Sequence, residues 1–312
     1  MPPVLSVKNL KKIYPANKDS PAVDGISFEV GASEILGLLG PNGSGKTTTI
    51  QMLLGTLSST EGSIVYFGKD FAACRSEVLQ HVSFASAYTS LPWALSIEEN
   101  LMIFGHLYGF RSRESVKLFD PLLDRFGIMD KKKARVSTLS AGQITRLMLV
   151  KAFFIQPKIV LLDEPTASLD PDMATGICDF ILEQRDKTGL SILFTSHKME
   201  EASEVCDRVI FLKEGKIIAD DLPKNLAMTV SPFRVQFHIV DGMKRIVGLA
   251  QKGGLSFTIE HRIIDVAIPE AQIPSFLNEV ALAGILYSSI KIDEPSLEDY
   301  FMQVARGWEK IT

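Results

Sequence analysis

The chain has 312 residues, 46% hydrophobic and 22% charged, an ordinary globular balance with room for one large domain or two of medium size. A formal charge of −4 lacks the basic footprint of a nucleic-acid binder, and the one dense basic run, Lys131-Lys132-Lys133 closed by Arg135, reads as a solvated loop. Three widely spaced cysteines, Cys74, Cys178 and Cys206, include no CxxC pair and point to reduced thiols rather than a zinc cage or a disulfide framework.

In chain order, strands are predicted at Val4–Val7, Ile26–Val30 and Ile35–Leu39, the last a continuous apolar run of the buried kind. A glycine-rich turn, Gly40 to Gly45, leads into a helix over Lys46–Leu54. Strands follow at Ser63–Phe67 and Val82–Ala85. The pattern then turns helical. Ser96 with Glu99 three positions on forms a capping box for a helix over Ile97–Tyr108, a second helix spans Ser115–Phe126, and a third starts near Ala141. Strand and helix then alternate: Ile159–Leu162, Met173–Lys187, Ser191–Thr195, Lys198–Val205, and a closing hairpin Val209–Leu212 with Lys216–Ala219 around Glu214-Gly215. This alternation predicts a parallel sheet covered by helices, with a helical insertion over about residues 88–156. Composition shifts after Pro223, and Ser231-Pro232 is read as a boundary. Residues 1–230 then make the main α/β domain and residues 231–312 a small α+β unit, with strands near Val235–Ile239, Ser256–Glu260, Ile263–Ile268 and Ser288–Ile292 and helices near Ile273–Ala283 and Ser296–Ala305. No signal-peptide pattern opens the chain and no run of 18 apolar residues occurs, so a role at a membrane would require docking onto another chain.

Two motifs carry chemistry. Gly40-Pro41-Asn42-Gly43-Ser44-Gly45-Lys46-Thr47 fits G-x-x-x-x-G-K-[ST], between a buried strand and a helix. Glycines let backbone N–H groups turn toward phosphates, and the helix start adds partial positive charge. Lys46 is expected at the β- and γ-phosphates and Thr47 at Mg²⁺, with Thr48 among the nucleotide-binding residues. The strand Ile159–Leu162 delivers Asp163 and Glu164 at its end, where open α/β sheets bind ligands. Asp163 is the candidate Mg²⁺ ligand and Glu164 the group that orients or deprotonates the attacking water. The phosphate loop alone says only that a nucleoside triphosphate is bound.

With those motifs on the chain, Leu139-Ser140-Ala141-Gly142-Gln143, 20 residues before Asp163, resembles the signature of the ABC (ATP-binding cassette) family. Ser168-Leu169-Asp170 resembles that family's D-loop, His197 its switch histidine, and Tyr14 the aromatic that stacks on adenine. The resemblance covers about Val4 to Pro223. It implies an ABC-type P-loop ATPase fold with a mixed sheet, in which two subunits sandwich ATP between the phosphate loop of one and Ser140, Gly142, Gln143 and Asp170 of the other. It further implies a transmembrane permease on a separate chain, a second ATPase subunit forming a homodimer, no nucleic acid, and a place on the cytoplasmic face of the membrane. Asp293-Glu294-Pro295-Ser296-Leu297-Glu298-Asp299-Tyr300-Phe301 resembles the ending of exporter ATPases. Two positions depart from the family pattern: Ala141 replaces a glycine, and Ala87 stands where the family has its Q-loop glutamine. Alanine cannot hydrogen-bond Mg²⁺ or water, so slower hydrolysis, or substitution by Ser86 through water, is the expectation there. Trp93 is a candidate permease contact. The alternatives are a soluble, non-transport ABC ATPase and a weakly hydrolysing regulatory cassette.

Overall fold

The computed structural model describes residues 2–15, 20–86, 91–230 and 232–306. The chain divides into two compact units, Met1–Pro223 and Lys224–Thr312.

The first unit runs β1 (Leu5–Lys12), β2 (Val23–Val30), β3 (Ile35–Leu39), α1 (Lys46–Leu53), β4 (Glu61–Tyr66), β5 (Lys69–Asp70), α2 (Arg75–Leu79), β6 (Val82–Ser86), α3 (Ile97–Leu107), α4 (Ser112–Arg125), α5 (Ala141–Phe154), β7 (Ile159–Asp163), α6 (Pro171–Thr188), β8 (Ser191–Thr195), α7 (Met199–Val205), β9 (Arg208–Lys213) and β10 (Lys216–Asp221). Its strands form two sheets, β2-β1-β4-β5 and β10-β9-β3-β8-β7-β6. The larger is parallel except for the antiparallel hairpin partner β10. Strands β3, β7 and β8 are buried at every position, as strands covered on both faces must be.

The expected helix-covered parallel sheet is the larger one, and antiparallel β10 makes it mixed. Strands β1 and β2 precede the phosphate loop but pair antiparallel in a sheet of their own. Local patterning cannot separate the two cases, because β2 alternates buried and open positions while its partners lie in β1 alone. One apolar cluster joins both sheets through α1: Leu5, Val7, Val30, Ile50, Leu53, Leu36, Leu161, Leu193 and Ile210 are all within it. The turn between β9 and β10 has positive φ at Glu214 (50°) and Gly215 (76°), the conformation a tight hairpin needs. Helices α3 to α5 occupy the insertion between β6 and β7, and the Ser96–Glu99 capping box is formed.

In the second unit, α8 (Pro223–Val230) precedes β11 (Phe233–Asp241), α9 (Met243–Lys252), β12 (Ser256–Glu260), β13 (Ile263–Ile268), α10 (Ile273–Leu282), β14 (Leu286–Asp293) and α11 (Leu297–Arg306). The antiparallel sheet β12-β13-β11-β14 packs Val235, Phe237, Ile264 and Val266 against Ile246, Phe276 and Val280 of α9 and α10. Helices α8 and α9 were not anticipated. Met243, Ile246, Val247 and Ala250 nevertheless lie on a helical period, and α9 buries Ile246 and Ala250.

Candidate functional site

Parallel neighbours β3, β8, β7 and β6 end at the same edge of the larger sheet, and each delivers something there. Strand β3 opens into the phosphate loop, β7 ends at Asp163, β8 at Thr195 and β6 at Ser86. The cross-strand register sets Asp163 beside Ser86 on one side and Thr195 on the other.

The loop glycines are demanded by geometry at two positions. A Cβ on Gly40 (φ +145°) would stand 2.2 Å from the Leu212 carbonyl oxygen, and one on Gly45 (φ +107°) 2.5 Å from that of Ala22. Gly45 is the N-cap of α1, no side chain caps that helix, and its first turn carries no acidic residue. The N–H groups and dipole of the helix start are thus left for an anion. Among the described residues, buried Ser44 Oγ meets no hydrogen-bond partner. The Lys46 ammonium donates to the carbonyls of Gly40 (2.7 Å) and Pro41 (3.1 Å), and burial lowers its pKa against the opposing pull of Glu164 and Asp163. Asn42, Gly43, Gly45, Lys46, Thr47, Thr48, Asp163, Glu164 and Ala22 line one cleft of about 220 Å³.

Asp163 is buried, and burial raises its pKa. Thr195 Oγ1 donates to its Oδ1 at 2.8 Å, and Ser86 Oγ lies 3.5 Å from its Oδ2. Ala87 lies outside the described residues. Glu164 has φ +54°, a left-handed backbone that is uncommon for a residue with a side chain. Its N–H is held by both the carbonyl (3.2 Å) and the hydroxyl (3.1 Å) of Thr195, which over-determines the turn. His197 Nδ1 meets Glu164 Oε2 at 2.5 Å, with the histidine 59% and the glutamate 14% exposed. A carboxylate paired with an imidazole beside a phosphate loop can orient a water and take its proton. Thr47 and Asp163 offer hard oxygen ligands on the same cleft, which suits Mg²⁺.

The remaining predicted residues stand elsewhere. Ser140 caps α5 in a full capping box: Gln143 N–H donates to Ser140 Oγ at 3.3 Å, and Ser140 N–H donates to Gln143 Oε1 at 2.9 Å. Ala141 is exposed, and Gly142 packs against the D-loop, where an added Cβ would lie 3.3 Å from the Ser168 carbonyl oxygen. Asp170 caps α6, accepting from Met173 N–H at 3.0 Å. Tyr14 lies beyond the end of β1, partly exposed, with the Lys12 ammonium 5.4 Å from its ring centroid. Trp93 is 59% exposed, on a loop tied by its carbonyl to Ser137 N–H at 3.1 Å. Thr195 was not foreseen as a site residue, because a threonine ending an apolar strand carries no local mark of its partners.

The ABC transporter family profile matches residues 23–167. The Nod factor export ATP-binding protein I of Burkholderia lata is 38% identical over 222 residues, 71% of this chain and 72% of that protein. The chain belongs to the ABC transporter family. The linearmycin resistance ATP-binding protein LnrL of Bacillus subtilis is 29% identical to this ABC protein over 308 residues, 96% of this chain and 98% of that one. A solved ATP-binding subunit of an ABC transporter superposes with a TM-score of 0.67 at 26% identity, covering 72% of this chain and 92% of its own. This ABC protein is an ATP-binding and ATP-hydrolysing transporter subunit. ABC ATPases work with a membrane permease and dimerise. No helix among the described residues is long and apolar enough to cross a membrane.

Proposed function

We propose that this subunit powers export through a permease carried on a separate chain, as a homodimer at the cytoplasmic face of the membrane. Similarity to a resistance protein and an export protein supports the direction, the first along nearly the whole chain. ATP binds with its phosphates on the N–H groups of residues 43–48, Lys46 on the terminal phosphates, and Tyr14 against the base. Mg²⁺, held by Thr47 and Asp163, neutralises phosphate charge when bound. Glu164 orients the attacking water and accepts its proton, and His197 holds Glu164 in place. Across the dimer, Ser140, Gly142, Gln143 and Asp170 of the second copy close on the γ-phosphate. Two anion-binding faces lack a reason to meet without the triphosphate and gain one with it, so hydrolysis converts a closed pair into an open one.

The observation that carries this reading is the Glu164–His197 contact on the cleft that Lys46 and Asp163 also line. Glu164→Gln tests it. Turnover is expected to fall about 10²- to 10⁴-fold while ATP binding persists, and the protein should elute as a dimer with ATP and as a monomer without it. A Glu164→Gln protein that hydrolyses at the normal rate removes Glu164 from the role of base.

A further inference from the structure

Thr166 and Ser196 are buried polar side chains, each 1% exposed, that the chemistry above leaves unused. Both donate to the same carboxylate. Glu201, in the first turn of α7, accepts at Oε2 from Thr166 Oγ1 (2.5 Å) and Ser196 Oγ (3.4 Å), and at Oε1 from Lys198 Nζ (2.7 Å). Ser196 Oγ in turn accepts from Lys198 N–H at 3.0 Å. The Glu201 side chain is 13% exposed, so little water competes. The three donors come from two turns. Thr166 stands two residues after Glu164, and Ser196 and Lys198 flank His197 on either side.

We propose that Glu201 is a positioning residue for hydrolysis: its carboxylate clamps the turn that follows Glu164 to the turn that carries His197. The inference rests on Glu164 and His197 acting as assigned above. Such a clamp has work to do. His197 is largely exposed, so packing of its own ring fixes it weakly. Glu164 holds a left-handed backbone that persists only where its surroundings insist on it. Bonds to an ionised acceptor are about twice as strong as neutral ones, and three of them converge on a group that no phosphate chemistry claims. The same clamp reaches the D-loop. Ala167 N–H donates to the Glu164 carbonyl (3.3 Å) and Leu169 N–H to that of Thr166 (3.2 Å), so Thr166 is the fixed end of the turn leading to Asp170.

The test uses the purified full chain, measuring kcat and KM for ATP, equilibrium binding of a fluorescent ATP analogue, and melting temperature. Glu201→Ala is expected to lower kcat about 10- to 100-fold with analogue affinity within about twofold, since the phosphate loop is untouched. Thr166→Val should share that loss, Thr166→Ser should restore it, and Thr166→Val combined with Glu201→Ala should be no worse than Glu201→Ala alone. Wild-type kcat in Glu201→Ala, a parallel fall of kcat and affinity, or additive losses in the double variant would each overturn the proposal. Should Glu201→Ala not fold, Thr166→Val against Thr166→Ser decides at matched melting temperature: kcat lost with valine and kept with serine supports the clamp, and equal kcat refutes it. Glu164→Gln assayed alongside distinguishes failure of the premise from failure of the clamp.

Discussion

Thr195→Val isolates what one buried hydroxyl contributes to the site. Valine keeps the branched shape and removes two bonds, the donation to Asp163 Oδ1 at 2.8 Å and the acceptance from Glu164 N–H at 3.1 Å. A bond to an ionised carboxylate contributes about 1.5–3 kcal/mol, and Asp163, at 6% exposure, has little access to replacement water. The second loss is smaller, about 0.5 kcal/mol, because Glu164 N–H retains the Thr195 carbonyl. The sum is about 2–3.5 kcal/mol, which for a unit of this size lowers the melting temperature by about 5–10 °C. Calorimetry of the nucleotide-free protein in chelator, following the first unit's transition, measures it. Thr195→Ser is the control: it keeps both bonds, loses a methyl group and should cost about 1 kcal/mol. If valine proves no more damaging than serine, the hydroxyl bonds do not hold this site together and the account of Glu164's backbone loses its support.

A pH effect follows from Lys151 on α5. Burial lowers its pKa to about 8, with the ammonium 5.0 Å from the centroid of Phe104. Between about pH 8 and its ordinary value the unfolded chain binds the extra proton, so stability should rise with pH across that window; below about pH 8 the folded protein bears the full cost of the buried charge. Lys151→Met should therefore be the more stable protein at pH 7, by up to about 3 kcal/mol, with the gap closing near pH 10.5, as thermal melts at the two pH values would show. Gly45→Ala sets a Cβ 2.5 Å from the Ala22 carbonyl oxygen at φ +107°. A strain of about 1–3 kcal/mol should weaken ATP affinity by about 10- to 100-fold, read by equilibrium binding, and unchanged affinity would mean the loop can relax around a methyl group.

Much of the site was readable along the chain because its motifs are contiguous. Strands Ile35–Leu39 and Ser191–Thr195 have their expected bounds, since apolar runs between turn residues leave little choice. What escaped was pairing at a distance. Thr195 and Glu164 are 31 positions apart, and Thr166 and Glu201 are 35 apart. Thr195, Thr166 and Glu201 are ordinary polar residues until the parallel register of β7 and β8 brings the strand ends together. The separate antiparallel sheet escaped for the same reason. Helix α2, five residues long, is too short for a period to show, and β5 has only two.

The closed loop of bonds between Ser140 and Gln143 has a kinetic corollary. The serine oxygen already accepts a hydrogen bond from the Gln143 N–H, so its own hydrogen remains free to point outward, and the helix start is finished before any second copy arrives. Nothing at that end of α5 must freeze on contact, so the entropy of docking is spent on bringing two rigid bodies together rather than on shaping either. Encounter between subunits should then track diffusion and charge, with salt and viscosity setting its pace.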